Sequence, residues 1–428
     1  MERGDHLYGL YLQILKEELR PAMGCTEPIA LALAGAKARQ YLGALPDRVR
    51  LLVSGNIIKN VKSVVVPNTG GLHGIVAAVS AGIAAGDPSR ELQVISAIRK
   101  EQQPLIQEFM QTADITVEPS DSSLVFDIDL TVYAADSYVR LRIVNHHTNI
   151  VLIEKNGQVL LEHPVTESSE DALTDKSCLT VEKIVEFADC VDPGDLEQTV
   201  GQQIHKNMEI AREGMAHDWG ANIGSVIMKY QGGTLSKRAC AYAAAGSDAR
   251  MSGCEKPVII VSGSGNQGIT ASVPVAVYAG ELGCSWEQTL RAVALSDLIT
   301  IHQKSGIGRL SAYCGAISAG CGAGAGIAYL MGGDAHAIAH TVVNAIAILS
   351  GTICDGAKPS CAAKIAAAVD AGVLGYQMYL NHQQFYSGDG IVTKGVDNTV
   401  HNVGRLAREG MRETDRTILE IMLADSAT

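Results

Sequence analysis

Three cysteines in the C-terminal half of the chain have a spacing that suits a site built from separate loops. Cys354 and Cys361 stand seven positions apart in ICDGAKPSC, between two stretches rich in Ala, Ile, Val and Leu, and Cys314 lies forty residues before Cys354. Three thiolates can hold a four-iron cluster and leave one iron without a protein ligand. Such an open metal position is a Lewis acid that holds and polarises a leaving group. One interpretation of the three cysteines is therefore a cluster-based active site.

Other interpretations of these cysteines stay open on spacing alone. A disulfide is disfavoured if the chain is cytosolic, because thiols stay reduced there. Structural zinc sites usually show paired Cys-x₂₋₄-Cys or Cys/His spacings, which this sequence lacks, and a low-pKa nucleophile needs only one cysteine. The remaining alternative is a set of buried free thiols, the reading that we adopt for Cys178, Cys190, Cys240, Cys254 and Cys284.

Two glycine-rich turns have the composition of anion-binding sites. In VSGSGNQG (261–268) an apolar run leads through Ser264 and Asn266 into a helical pattern. Successive backbone N–H groups at a helix N-terminus bind phosphate or carboxylate. PNTGG (67–71) repeats this arrangement with Asn68 and Thr69. The alternative in both places is purely structural, namely a tight turn or a helix cap.

Composition and charge exclude some classes of partner. The chain has 34 basic and 46 acidic residues and a net charge of −12, so we expect no nucleic-acid partner, because phosphate binding needs a positive surface. Residues 1–21 carry scattered charges and no apolar core, so no signal peptide is expected. Residues 314–333 reach transmembrane length but are mostly Gly, Ala and Ser, which favours a buried helix. We expect a cytoplasmic protein with no membrane partner, and the small-residue core favours a homodimer.

Periodicity predicts an α+β fold: an α/β N-terminal domain with antiparallel strands and an all-α C-terminal domain. Residues 1–44 are expected to form helices that flank a non-helical PAMGCTEP (21–28) and pack on the catalytic domain, 45–175 the α/β domain, and 176–428 the helical catalytic domain. The predicted strands of the second unit are RVRLLVSG, VKSVVVP, DITVEP, LVFDIDLTVYAAD, SYVRLRIVNHHTNIVLIEKNG and QVLLEHPV, with hairpins at Ala-Asp-Ser and Lys-Asn-Gly. In the third unit only KPVIIVS (256–262) is predicted as a strand.

Five segments in the same order together resemble a known family. They are PAMGCTEPIALALAGAKAR, GSDARMSG, VSGSGNQGITASVPV, GRLSAYCGAISAGCGAG and TICDGAKPSCAAKIA. The combination is similar to the iron–sulfur L-cysteine desulfidases, relatives of the bacterial iron–sulfur L-serine dehydratases. The resemblance covers nearly the whole chain and implies a helical catalytic domain like the α domain of those dehydratases. It also implies a [4Fe–4S] cluster with one open iron, held by Cys314, Cys354 and Cys361.

The implied reaction is a non-redox α,β-elimination of L-cysteine to pyruvate, ammonia and sulfide. The elimination needs a base for the α-proton, and the candidates are Cys25 as a thiolate, which we favour, and Lys304. Cys25 is also a rival candidate for a cluster ligand, and a solvated helix end is the alternative for Lys304 and its neighbour His302. Glu27 is expected to receive the substrate ammonium or orient Cys25, or simply to favour the helix dipole.

The substrate carboxylate needs preorganised donors, which the two glycine-rich turns supply. The expected substrate-binding residues are Asn68, Thr69, Ser262, Ser264, Gly265 and Asn266. The related serine dehydratases carry a cysteine where this chain has SGSGNQG, so the contacts to the substrate are expected to differ from theirs.

L-Serine or another β-substituted amino acid remains as an alternative substrate of the same site. Two other classes of function also remain as alternatives. In a pyridoxal-phosphate lyase, GSGNQG would hold the cofactor phosphate and Lys358 or Lys364 would form the Schiff base. This reading leaves the cysteines unexplained and lacks alternating strands and helices in the C-terminal half. A non-catalytic cluster-binding or metabolite-binding protein is the second alternative, and it would release no sulfide.

Overall fold

The strands form two separate sheets in the computed structural model, which describes residues 1–24, 26–122, 124–165, 173–308 and 311–424. The strands are β1 (Arg20–Met23), β2 (Arg48–Val53), β3 (Asp114–Pro119), β4 (Asp127–Ala134), β5 (Ser137–Val144), β6 (Ile150–Lys155), β7 (Gln158–Glu162) and β8 (Pro257–Ile260). In the described part of the chain, six of them form a sheet in the order β3-β2-β4-β5-β6-β7, and β1 pairs with β8. Only β2 and β3 run parallel within the larger sheet; its other neighbours are antiparallel.

Helices make up most of the remaining described structure. In the first half they are α1 (His6–Glu18), α2 (Thr26–Leu42), α3 (Gly55–Val61), α4 (Gly74–Ala85), α5 (Gln103–Thr112), α6 (Val181–Cys190), α7 (Pro193–Leu196) and α8 (Gln202–Ala216). In the second half they are α9 (Ile223–Gln231), α10 (Leu235–Met251), α11 (Gly265–Leu282), α12 (Trp286–Ile307), α13 (Gly315–Leu330), α14 (Ala335–Leu349), α15 (Cys361–Leu380), α16 (Val396–Arg405) and α17 (Arg412–Ala424).

The larger sheet buries one face under α2 and α4. Along β2 the buried side chains alternate with more exposed ones, as expected for a strand with one covered face. The uncovered face carries cross-strand ion pairs, in which Arg140 bonds Asp129 and Arg142 bonds Asp127, each with a shortest N–O distance of 2.6 Å. Helices α2 and α4 approach closely because Gly82 has no β-carbon, and one placed there would collide with the carbonyl of Ala32.

The C-terminal helices surround α13, whose side chains are buried from Ala316 to Ala328. Helix α13 packs against α11, α12, α14 and α15. Its glycines lie where neighbouring backbones come closest: Gly320 faces Ala368 of α15, and Gly324 faces Gly372. Small residues thus replace the large side chains of an ordinary core, which explains how a chain with 4% aromatic residues fills a bundle.

The segment before Cys25 joins the two parts of the molecule. Strand β1 pairs antiparallel with β8, with Arg20 opposite Ile260 and Met23 opposite Pro257. The apolar residues of α1 lie in the core of the helical part, whereas those of α2 lie in the core under the sheet. The boundaries proposed after residues 44 and 175 stay predictions.

The structure confirms the mixed α+β class, with a sheet-containing N-terminal region and a helical C-terminal part. Both predicted hairpins are present, and KPVIIVS contains β8. No helix among the described residues is long and apolar enough to cross a membrane. The segment 314–333 is the buried helix α13, as expected.

Two local predictions were wrong. VKSVVVP does not form a strand: its first residue ends α3, and the rest is a turn with one bridge between Val65 and His73. Its valines are buried by packing, and β-branched residues indicate burial as well as strand. PAMGCTEP is not a single non-helical segment, since it contains the end of β1 and the first turn of α2. The pairing partner of β1 is more than 200 residues away in sequence, so no local pattern reveals it.

Candidate active site

A short antiparallel bridge places Cys314 beside Cys354. Tyr313 pairs with Ile353, the Cys314 N–H donates to the carbonyl of Thr352 at 3.0 Å, and the Cys354 N–H donates to the carbonyl of Ala312 at 2.6 Å. Cys314 precedes α13 as its N-cap residue, so its sulfur lies at the start of a buried helix. The backbone of two loops therefore fixes the relative positions of the first two thiols.

The third thiol belongs to the first residue of α15. The Cys361 Sγ donates to the carbonyl of Gly356 at 3.7 Å. Gly356 has φ +95°, and a β-carbon there would collide with the carbonyl oxygen of Lys59 in α3. The loop between Cys354 and Cys361 thus presses on α3 at a position that only glycine permits.

Asp355 ties this loop to two lysines. The Lys364 Nζ donates to Asp355 Oδ1 at 2.6 Å and to the carbonyl of Ile353 at 2.8 Å, and Lys358 also pairs with Asp355. Although burial opposes it, the hydrogen bonds and charges of the two lysines lower the pKa of Asp355 to about 2. Neither lysine lines the pocket described next, so the two candidates for a pyridoxal-phosphate Schiff base serve instead as ion-pair partners of the loop.

One pocket brings the cysteines together with residues from both parts of the molecule. Its volume is about 810 Å³, open mouth included. The lining includes Thr26, Glu27, Lys59, Asn60, Arg250, Gly263, Ser264, Asn266, Gln267, Lys304, Ser311, Tyr313, Cys314, Gly315, Cys354, Gly356 and Cys361. Seven residues predicted from the sequence therefore line one pocket. They are the three proposed cluster ligands Cys314, Cys354 and Cys361, the candidate base Lys304, the candidate ammonium site Glu27, and Ser264 and Asn266 of the candidate carboxylate site.

Cys314 and Cys354 share a hydrogen bond that shifts the pKa values of the two thiols in opposite directions. The bond from Cys314 lowers the pKa of Cys354 to about 5, and the charges of Lys59 and Lys304 and the N–H of Gly356 act in the same direction against burial. The same bond, together with burial, raises the pKa of Cys314. Burial also raises the pKa of Cys361. The wall of the pocket therefore favours a thiolate on Cys354, compensated by two lysines.

The wall opposite α13 is formed by α3 and the first turn of α2. Lys59 is 3% exposed and pairs with Asp415 of α17. The Asn60 Nδ2 donates to Glu27 Oε1 at 3.2 Å, and the Thr26 hydroxyl donates to Glu27 Oε2 at 3.2 Å. Glu27 is thus a buried, oriented carboxylate, which is what a site for an ammonium group requires. Lys304, in the last turn of α12, is also buried in this pocket rather than solvated, whereas its neighbour His302 pairs with Asp397.

The third wall is the start of α11. Ser264 is its N-cap, and its hydroxyl accepts from the N–H of Gln267 at 3.5 Å. Asn266 accepts a hydrogen bond from Arg250 Nη1 at 3.1 Å. Within the described part of the chain, three buried polar atoms of the lining have no partner: Arg250 Nε, Gln267 Oε1 and the Tyr313 hydroxyl. Unpaired buried groups are costly, so this wall has donors and an acceptor available for a bound molecule.

Other sequence-predicted residues do not line the pocket. Asn68 donates to the carbonyl of Ile95 and Thr69 to that of Val66, at 2.9 and 2.7 Å, so Asn68 ties its turn to the segment after α4 and Thr69 stabilises the turn itself. Ser262 and Gly265 flank the lining residues without contributing to it. Cys25 lies outside the described residues, and its role stays a prediction.

Sequence reasoning missed five buried polar residues of the lining: Lys59, Asn60, Arg250, Gln267 and Tyr313. Arg250 and Gln267 lie inside segments that carried the family resemblance, GSDARMSG and VSGSGNQGITASVPV, so attention to each polar residue of those segments would have found them. Lys59 lies in α3, just before a stretch misread as strand. Its burial depends on α17, which no local pattern indicates.

The side chains of the pocket differ in arrangement from the ligands of a single metal ion. Within the described residues, no three His, Cys, Asp or Glu side chains are grouped as the ligands of a single metal ion. A cubane cluster makes a different demand, because its cysteine sulfurs bind separate irons at the corners of a cage. Three thiols on one pocket wall, with lysines nearby to compensate negative charge, fit an iron–sulfur cluster by donor type.

Comparison with known proteins gives one family. The profile of the family described as serine dehydratase alpha chain matches residues 89–420, which include all three pocket cysteines. A UPF0597 protein of Desulfitobacterium hafniense is 57% identical over 423 residues, covering 99% of this chain and 98% of its own length. UPF0597 proteins of Lachnoclostridium phytofermentans and Treponema denticola are 46% and 42% identical, each over 97% of this chain and over 100% and 98% of their own lengths. None of these relatives' names states a substrate.

Proposed function

Because the chain belongs to the serine dehydratase alpha chain family, we propose that it is a lyase that removes the β-substituent of a small L-amino acid without net oxidation or reduction. The proposed substrate is L-cysteine, and the products are pyruvate, ammonia and sulfide. The observation that carries the proposal is the single pocket in which three thiols face Lys304, Glu27 and the start of α11. Such a pocket offers groups for the leaving sulfur, the α-proton, the ammonium and the carboxylate together.

We propose that Cys314, Cys354 and Cys361 hold a [4Fe–4S] cluster. Its chemistry there would be Lewis-acid activation of the β-substituent at an iron without a protein ligand. The low pKa of Cys354 supports this assignment, since a thiolate is the ligand form of cysteine.

The chain's own residues would bind and orient the amino acid. Glu27, held by Asn60 and Thr26, would accept hydrogen bonds from the substrate ammonium. Ser264, Asn266 and the N–H groups at the start of α11 would hold the carboxylate, where the helix dipole favours negative charge. That negative charge increases as the α-proton leaves, so these donors stabilise the transition state more than the bound substrate.

The Cys25 thiolate would accept the α-proton, with Lys304 as the alternative base. The electron pair of the Cα–H bond forms the Cα–Cβ double bond, and the Cβ–S bond breaks with its electrons on sulfur. The product aminoacrylate tautomerises to an imine, which water hydrolyses to pyruvate and ammonia. One L-cysteine and one water therefore give one pyruvate, one ammonia and one hydrogen sulfide.

L-Serine is the second candidate substrate, favoured because the family is that of the serine dehydratase alpha chain. The same residues would act, and water would leave instead of hydrogen sulfide. The ratio of kcat/KM for L-cysteine to that for L-serine, measured on one anaerobic sample, distinguishes the two.

The test of the proposal is anaerobic purification followed by assays of iron, acid-labile sulfide, visible absorption and product release. We expect about four irons per chain and steady sulfide and pyruvate release from L-cysteine. Single Ser replacements of Cys314, Cys354 and Cys361 should abolish the visible band and the activity. Replacing Cys284, which is outside the pocket lining, should change neither.

Replacement of the base should separate it from the ligands. Lys304→Gln or Cys25→Ser should retain iron and absorption while turnover falls. A colourless anaerobic protein that cannot be reconstituted with iron and sulfide would refute the cluster, and a coloured protein without product from either amino acid would refute the lyase.

A further inference from the structure

We propose that Arg250 is the residue that anchors the substrate carboxylate and so restricts the site to α-amino acids. This inference rests on the proposed function and adds a specificity-determining residue to it. Arg250 belongs to the last turn of α10 and lines the pocket.

The guanidinium of Arg250 is a buried cation without an acid partner. Its side chain is 3% exposed, and its recorded hydrogen bond goes from Nη1 to the neutral amide oxygen of Asn266. Among the described residues, its Nε has no partner and no carboxylate forms an ion pair with the guanidinium. Arginine does not lose its proton in proteins, so a buried guanidinium requires an anion.

Three lysines near the loops already have their anions. Lys59 pairs with Asp415, and Lys358 and Lys364 both pair with Asp355. Arg250 is therefore distinct from them in having only a neutral side-chain acceptor. Its geometry favours a carboxylate, because the planar guanidinium can donate two parallel hydrogen bonds to one.

The first residue of α11 brings the guanidinium and the helix N-terminus to the same place. A β-carbon at Gly265 would collide with Arg250 Nε and lie 2.7 Å from its Cζ. Glycine at this position therefore lets Arg250 lie directly against the start of α11. The full charge of Arg250 and the partial positive charge of the helix N-terminus then act on one bound anion. Gly265 thus has a role that the sequence did not indicate: it makes room for the anchor.

The pocket favours the carboxylate of a zwitterion over a phosphate. Glu27 is a buried acid of the same lining and belongs to a different helix, α2. An α-amino acid presents an ammonium and a carboxylate together and satisfies both charges. Inorganic phosphate has no cationic group that could bind Glu27. Its negative charge would instead be repelled by the Glu27 carboxylate.

The test measures binding with molecules that cannot react. L-Alanine keeps the ammonium and carboxylate but has no leaving group, and ethylamine lacks the carboxylate. Ligand-observed NMR titrations with the anaerobically purified protein should show binding of L-alanine and much weaker binding of ethylamine. In Arg250→Gln, L-alanine affinity should fall roughly 10- to 100-fold, and the KM for L-cysteine should rise by a similar factor.

Two further variants control for folding and for nonspecific effects of charge. Arg250→Lys keeps the charge but loses the planar fork, so it should lose less affinity than Arg250→Gln. Arg238→Gln removes an arginine of the same helix that pairs with Glu281 outside the pocket, and it should bind L-alanine as the unmodified protein does. If Arg250→Gln fails to fold by circular dichroism, the comparison of Arg250→Lys with Arg238→Gln decides the question.

The outcomes separate this inference from the proposed function. If L-alanine binding and the KM for L-cysteine are the same in Arg250→Gln and Arg250→Lys as in the unmodified protein, the anchor is refuted while the lyase stands. If L-alanine binding depends on Arg250 but no product forms from L-cysteine or L-serine, the anchor stands and the lyase is refuted. If inorganic phosphate binds through Arg250 and L-alanine does not, the site is a phosphate site and the anchor is refuted.

Discussion

The side chains of Asp297 and Gln203 form a buried pair. A single proton on the Asp297 carboxyl would complete the hydrogen bonds of one oxygen on each side chain. Both side chains are fully buried between α12 and α8, and the Gln203 Nε2 donates to Asp297 Oδ1 at 2.9 Å. Asp297 Oδ2 and Gln203 Oε1 have no partner among the residues that the structure describes. A proton on Oδ2 would let the acid donate to the amide oxygen, closing a ring of two hydrogen bonds. Burial raises the pKa of Asp297 well above its usual value, although the Gln203 bond opposes the shift.

The first prediction is that Asp297→Asn removes part of the pH dependence of stability. The folded pKa of Asp297 exceeds the unfolded one, so the folded state binds more protons between the two values. Its unfolding free energy therefore falls as pH rises through that window, by up to about 1.4 kcal/mol per pH unit. Asparagine keeps both hydrogen bonds and cannot ionise.

Denaturant unfolding of the two proteins at a series of pH values from 5 to 9 checks this prediction. The variant should gain stability relative to the unmodified protein as pH rises. Parallel pH curves would mean that Asp297 is not protonated in the folded state.

At this scale, the sequence indicates reactive residues better than it indicates buried charges. Cys314, Cys354 and Cys361 were recognisable because thiols stand out beside Gly and Pro in an apolar context. Arg250 and Lys59 were not, because the burial of a cation depends on elements far away in sequence. Asn68 and Thr69 share their pattern with Ser264 and Asn266, yet their side chains already bond backbone carbonyls, that of Ile95 for Asn68 and that of Val66 for Thr69. Composition does not show whether such donors are already used.

Glycine-mediated helix contacts decide the packing of the helical part at the scale of elements. Gly320 of α13 faces Ala368 of α15 so closely that a β-carbon would collide with the carbonyl of Ala368. Cys314 precedes the first of these helices and Cys361 begins the second. The spacing of the two helices therefore also controls the spacing of two pocket thiols.

The second prediction is that Gly320→Ala destabilises the protein by about 1–3 kcal/mol, the usual cost of overpacking. Gly280→Ala in α11 is the matched control, because nothing lies within 4 Å of the added β-carbon and alanine favours helix. The midpoints of denaturant unfolding for both variants test the idea. Equal or greater stability of Gly320→Ala would show that α13 and α15 can separate at little cost.

Secondary structure was predictable where local pattern and tertiary packing agree. The alternation in β2 and the turns of the two hairpins gave the antiparallel part of the sheet correctly. Local pattern failed for VKSVVVP, where buried valines follow a short helix, and for β1, whose partner β8 is distant in sequence. Both failures concern segments next to the pocket, where tertiary contacts override local preference.

At the scale of the whole molecule, the C-terminal helix supports the pocket from outside. Helix α17 packs on α3, where Asp415 pairs with Lys59 and the carbonyl of Met422 accepts from Lys62 at 2.5 Å. A β-carbon at Gly55 would collide with Leu419, so the two helices are in direct contact. Helix α3 supplies Lys59 and Asn60 to the lining.

The third prediction is that Asp415→Asn destabilises the protein by leaving Lys59 without its anion. Breaking a fully buried pair costs roughly 3–5 kcal/mol. Asp415 is 28% exposed, so a smaller loss of about 1–3 kcal/mol is expected. Glu420→Gln, which breaks an exposed pair with Arg416 on the same helix, should cost less than about 1 kcal/mol. Similar losses for both variants, measured by denaturant unfolding, would contradict a special role for Asp415.

The contact between Lys59 and Asp415 joins residues 356 positions apart. A ribosome makes α3 long before α17, so α3 is synthesised without the helix that braces it. Closing so long a loop is slow compared with forming local helices. The α3 side of the pocket is therefore completed only after α17 has been made. Insertion of the proposed cluster into the completed pocket would have to follow the synthesis of α17.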